Sequence, residues 1–135
     1  MPLNNNADKD WWGWLVDGLG GQEEECQNKL VSSLKARNIP KTTIKTGEVN
    51  MWWRNNSRYI DLVNTLDGNV MITIHLQEYG SSLWIGRAVD SIKQWNYYRR
   101  MAASAFVETV DRCIKETILT MVDPSAIRDV RDAPR

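Results

Sequence analysis

The sequence predicts an α+β fold: a helix, a four-stranded antiparallel meander in the order 1-2-3-4 and a long C-terminal helix, with both helices on one face of the sheet. Three observations carry this expectation. Val70, Ile72, Ile74 and Leu76 alternate with Met71, Thr73, His75 and Gln77, the two-residue period of a half-buried strand. Turn signals bound that run, Asp67-Gly68-Asn69 before it and Tyr79-Gly80-Ser81-Ser82 after it. Apolar residues recur at the helical period on either side of the strand region, over residues 22–38 and from position 90 towards Val122.

The first ten residues are polar, with three consecutive asparagines, and read as a flexible lead. Trp11-Trp12-Gly13-Trp14-Leu15-Val16 follows. If helical, it places Trp11, Trp14, Leu15 and Leu19 on one side, with Gly13 and Gly18 each weakening the helix by about 1 kcal/mol. Such a segment needs something to hold it. It is expected to act either as a lid on its own domain or as an anchor in a groove of another chain. Contact with a membrane surface by residues 11–19 is the weaker alternative, because the segment lacks a Lys/Arg face.

Residues 22–38 read as a helix. Glu23, Glu24 and Glu25 open it and Lys35 and Arg37 close it, both favourable with the helix dipole, and Pro40 stops it. Cys26, Leu30, Val31 and Leu34 form its apolar stripe. Four strands are expected next. The first carries Thr42, Ile44 and Thr46 in one phase and Val49, Met51 and Trp53 in the other, with a bulge or bend at Gly47; the others span residues 59–65, 70–77 and 83–89.

Keeping the apolar phases on one side predicts Leu62 opposite Ile74, Ile60 opposite Leu76, Trp53 opposite Ile60 and Leu76 opposite Leu83. The last helix starts at a cap at Asp90 or Ser91 and is stopped by Pro124. Phe106, Val110, Cys113, Thr117 and Met121 form its buried face, while Glu108, Asp111, Arg112 and Lys115 form its wet one. At ~1.5 Å per residue it is about 45 Å long, so it should overhang the sheet or break near residues 102–104. An overhang bearing Trp95, Tyr97 and Tyr98 reads as an association surface. Residues 124–135 read as a charged tail. The expected organisation is a lead and Trp-rich segment (1–21), one α+β domain (22–123) and that tail.

With 135 residues, 42% hydrophobic and 25% charged, the chain can bury its own core. Seventeen basic residues balance seventeen acidic ones, which leaves no electrostatic funnel for nucleic acid and no repulsion between copies. Seven tryptophans against one phenylalanine point to contact surfaces, where an indole buries a large area. Cys26 and Cys113 are too few for a zinc site or a disulfide framework, and read as buried thiols that approach one another if the helices lie side by side. No signal-peptide pattern opens the chain and no run nears the ~20 apolar residues of a membrane span, so the expected location is cytoplasmic.

The register places Trp52, Asp61, His75 and Trp84 in one row on the outer face, beside Tyr59, Val63 and Met71. An Asp opposite the only His, walled by indoles, has the makings of an acid/base pair or ligand clamp. The simpler reading is a cross-strand polar pair on a wet face. Basic and aromatic residues interleave at 52–59, a pattern that can stack bases, but the signal weakens once Trp53 joins the core. There is no phosphate loop, nucleophile elbow or metal-ligand spacing, and nothing calls for a cofactor, a metal or an assigned catalytic residue.

The sequence therefore favours a non-enzymatic protein–protein interaction module, a subunit or adaptor of a larger assembly or a homo-oligomer. The residues expected at its contacts are Trp11, Trp12, Trp14, Trp52, Tyr59, Trp84 and Trp95. The alternative is a small-molecule binder or enzyme with a cavity between the sheet and the long helix, near Asp61 and His75.

Overall fold

The computed structural model describes residues 10–49, 57–66, 70–90 and 97–131. The described residues form an α+β arrangement of six antiparallel strands and two helices. Strand β1 (Trp11–Asp17) leads into helix α1 (Glu23–Ala36). Strands β2 (Thr42–Val49), β3 (Ser57–Asn64), β4 (Val70–Tyr79) and β5 (Ser82–Asp90) follow, then helix α2 (Tyr97–Leu119). A short 3-10 turn (Pro124–Ala126) ends in strand β6 (Ile127–Arg131). The sheet order is β2-β3-β4-β5-β1-β6, so the expected meander forms two thirds of a wider sheet.

The two ends of the chain supply the correction. Trp11–Asp17 is a strand paired with β5 on one side and β6 on the other, rather than a helical lid or anchor. Gly13 and Gly18 disfavour a helix, while the alternation of Trp12, Trp14 and Val16 suits a pleat buried on one face. Part of the region assigned to a charged tail is β6, with Ile127 packed against the core. Asp123 caps the turn before it by accepting the Ser125 N–H at 2.9 Å.

Registers also differ from expectation, while the phase holds between β3, β4 and β5. Leu62 faces Ile72 and Ile60 faces Ile74, two residues from the expected partners, because five residues rather than three link β3 to β4. Leu76 faces Ile85 rather than Leu83, since Gly80, in the left-handed region at φ 62°, makes a tight two-residue turn with Ser81. Thr46 of β2 faces Ile60, in a ladder that runs unbroken through Gly47, so the bulge expected there is absent and Val49 keeps one phase with Gly47; the expected Trp53 partner lies outside the described residues.

One face of the sheet carries Ile60, Leu62, Ile72, Ile74, Leu76, Leu83, Ile85, Trp12, Trp14 and Val16, all buried. Helix α1 buries Cys26, Leu30 and Leu34 on it, and α2 buries Phe106, Val110, Cys113, Ile114 and Ile118 there. The helices touch each other as well: Thr117 donates to Ser33 Oγ at 3.0 Å, and Arg37 pairs with Glu116. α2 runs unbroken through residues 102–104, and Ala103 is buried. Both thiols are free and buried in this core.

Candidate functional site: the open face of the sheet

Among the described residues the other face carries no helix. Pairing across it gives the row Gly47–Tyr59–His75–Gly86–Gly13, flanked by Lys45–Asp61–Thr73–Ala88–Trp11 on one side and Ser57–Gln77–Trp84–Leu15 on the other. Tyr59, His75, Trp84, Trp11 and Leu15 are all half-buried. The three glycines explain how large rings lie so low. A Cβ at Gly13 would overlap the ring carbons of Trp84, and one at Gly86 would come 2.8 Å from its Nε1, so the indole rests on bare backbone of β5 and β1. Tyr59 covers Gly47 on the edge strand in the same way. Trp11 leans on Trp84 with ring centroids 6.3 Å apart at 58°.

Charged side chains ring this aromatic centre. Lys45, Asp61 and Asp90 lie towards one end; Asp17, towards the other, pairs with Arg128 at 2.9 Å and accepts the Ser82 hydroxyl at 2.9 Å. An aromatic middle inside a polar rim is the anatomy of a protein contact surface.

Asp61 and His75 do not face one another. The two-residue change in register sets Asp61 opposite Thr73, whose hydroxyl donates to its carboxylate at 2.8 Å. His75 stands opposite Tyr59, with Nε2 2.6 Å from Ser57 Oγ. Both residues lie on the open face, and neither borders the space between the sheet and α2, which buried apolar side chains fill.

Of the tryptophans expected at contacts, Trp12 and Trp14 are in the core at 0% and 8% exposure, their rings 5.3 Å apart. Trp52 and Trp95 lie outside the described residues. That leaves Trp11, Trp84 and Tyr59 on the open face.

No family model matches the chain, nor does any curated protein or solved structure. The functional reading therefore rests on geometry alone. Among the described residues no group of three or more His, Cys, Asp or Glu converges as a metal site would require, and no helix is long and apolar enough to cross a membrane.

A charged cluster that the sequence reading missed sits on the opposite face. Arg87 points into the core and grips Asp111 of α2, and Trp12 Nε1 donates to the same carboxylate at 3.0 Å. Arg87 also donates to the Asp10 carbonyl at 2.8 Å, and Lys115 lies 5.4 Å above the Trp12 ring. Asp111, expected on the wet face, is 7% exposed. The signal was present: Arg87 shares the phase of Leu83, Ile85 and Val89, so it demanded a buried acid. The network locks α2 to β1 and β5, with both oxygens of the Asp111 carboxylate engaged.

The thiols are inert for a related reason. Burial pushes Cys26 up to about 12, with Lys29 opposing and Glu25 and Glu23 adding to the shift. Burial also raises Cys113, against the pull of Arg37. A thiol held as S–H is a poor nucleophile. A shallow groove of about 960 Å³ runs between α1 and the end of α2, lined by Asn28, Ser33, Arg37, Glu116 and Thr117 among others. Both cations that line it are already engaged, Arg37 with Glu116 and Lys29 with Glu25.

Proposed function

We propose that the protein is a non-enzymatic protein–protein interaction module, a subunit or adaptor of a larger assembly, which docks a partner protein on the open face of its sheet. The observation that carries this reading is the Trp84 indole laid over the bare Gly13 and Gly86 backbone, with Trp11 against it and Tyr59 across the row. Six strands at ~4.8 Å spacing, averaging about 26 Å long, offer on the order of 600 Å², near the ~800 Å² that one partner contributes to a standard interface. Indoles at the centre of such a patch are the residues that dominate binding energy, because they bury large area while losing little side-chain entropy. The rim holds three carboxylates, Asp17, Asp61 and Asp90, against Lys45 and Arg128. The partner that fits it has a flat apolar centre bordered mainly by basic groups. The separate hydrogen bonds of Asp61 and His75 favour contact over acid/base chemistry.

The test is affinity capture with the full chain, comparing wild type with Trp84→Ser and Trp11→Ser, followed by calorimetric titration of the captured protein after purification. The expected result is a stoichiometric complex that weakens about thirtyfold or more in Trp84→Ser, the effect of losing a ~2 kcal/mol hot spot, with the circular dichroism spectrum unchanged. A complex that binds Trp84→Ser and Trp11→Ser as tightly as wild type rejects the reading.

A further inference from the structure

Helix α2 has a second face that the core does not use. Its buried residues, Ala103, Phe106, Val110, Cys113, Ile114 and Ile118, follow one side. Diametrically opposite, Tyr98, Met101, Ala105, Glu108, Arg112 and Leu119 form a continuous stripe whose steps alternate between three and four residues, with Lys115 filling the remaining step. That is the spacing of a helix–helix seam. The large apolar members stand well out of the protein: Tyr98 is 77% exposed, Met101 58% and Leu119 46%. Glu108 and Arg112 side chains are 62% and 61% exposed.

The stripe is complementary to itself when reversed. About a two-fold axis level with position 110, Met101 meets Leu119 of a second copy, and Ala105 meets the methylene stem of Lys115, whose ammonium is held over the Trp12 ring of its own chain. Glu108 meets Arg112, and the two-fold repeats that pair, so four charges alternate in sign around the axis. Every position on the stripe from 101 to 119 thus finds an apolar or oppositely charged counterpart. The chain's zero net charge sets no long-range repulsion against the encounter.

We infer that a second copy of this chain packs antiparallel along this stripe of α2, forming an isologous dimer. The seam from 101 to 119 is about 27 Å long, which places the contact at the small end of specific interfaces and makes the dimer a weak one, populated at micromolar concentrations and above. Its charged centre sets the register and makes association weaken with salt. The stripe is on the side of α2 turned away from the sheet, so self-association and docking on the open face are separable.

Sedimentation of the full chain over a concentration series tests this. Wild type is expected to pass from monomer to dimer within the micromolar range. Glu108→Arg and Arg112→Glu each place four like charges around the axis and are expected to weaken the dimer about tenfold or more. The double variant Glu108→Arg/Arg112→Glu restores alternation and should return dimerisation to near the wild-type level. Each single variant also loses the 3.2 Å Arg112–Glu108 pair within the helix, but that loss alters helicity and leaves a sedimentation constant unmoved. Met101→Glu, which removes an apolar contact, should weaken the dimer as well. A wild-type chain that stays monomeric at hundreds of micromolar, single variants that dimerise as wild type does, or a double variant that fails to recover each overturn the inference. None of those results touches the reading of the sheet face, which is tested separately by partner binding to Trp84→Ser and Trp11→Ser.

Discussion

Arg87 and Asp111 form a two-pronged ion pair inside the protein, Nε donating to Oδ1 at 2.7 Å and Nη2 to Oδ2 at 2.9 Å, with side chains 1% and 9% exposed. The pair joins β5 to α2 across the core, and the Trp12 indole N–H completes the carboxylate's shell from β1. Desolvation makes such a pair costly to assemble and costlier to halve.

Removing one partner should therefore destabilise far more than removing both. Asp111→Ala leaves a buried guanidinium without its carboxylate and is expected to cost about 3–5 kcal/mol in urea unfolding. Arg87→Met/Asp111→Leu leaves no buried charge and should cost less than Asp111→Ala alone. A double variant less stable than the single would show that the ion pair stabilises the fold in its own right.

Trp12→Phe keeps an aromatic ring in the core and deletes the donor to Asp111. The expected loss is about 1–3 kcal/mol, the cost of a missing charge-assisted hydrogen bond plus a small void. In the Arg87→Met/Asp111→Leu background the same change should cost measurably less, because the acceptor is gone.

Gly13→Ala drives a methyl into the Trp84 ring. We expect a loss of about 1–3 kcal/mol together with a red-shifted, more exposed tryptophan emission as the indole lifts off the sheet. With Trp84→Ala already in place, Gly13→Ala should be close to neutral. A cost that is the same in both backgrounds would place the strain elsewhere.

The Cys26 thiol holds its proton up to about 12 in the folded protein, against 9.0 for an ordinary thiol. Between those values the native state binds more protons than the unfolded state, so stability falls as pH rises through that window and is unaffected by this group below it. The slope is up to about 1.4 kcal/mol per pH unit. Urea unfolding at pH 8 to 11 should show wild type losing stability faster than Cys26→Ala. Parallel curves would mean that the thiolate is solvated in the native state.

Local pattern alone determined a good deal of this protein. The alternation in residues 59–65, 70–77 and 83–89 placed three strands and chose which face of each meets the core, because a pleat has a period of two whatever it pairs with. Helical periodicity over 22–38 did the same for α1, with Cys26, Leu30 and Leu34 buried as their spacing required. Tertiary structure decided what depends on neighbours distant in sequence. A tryptophan-rich heptapeptide with a glycine in it became a strand because β5 and β6 supply hydrogen-bonding partners on both sides, which no window of residues 11–19 contains. Pairing among β3, β4 and β5 shifted by two residues without changing phase, since burial fixes only the parity of a register and the turn fixes the rest. That shift separated Asp61 from His75. Most of all, the place of Asp111 was settled by Arg87, 24 residues away, because a charge enters a core only where its counter-charge is already waiting.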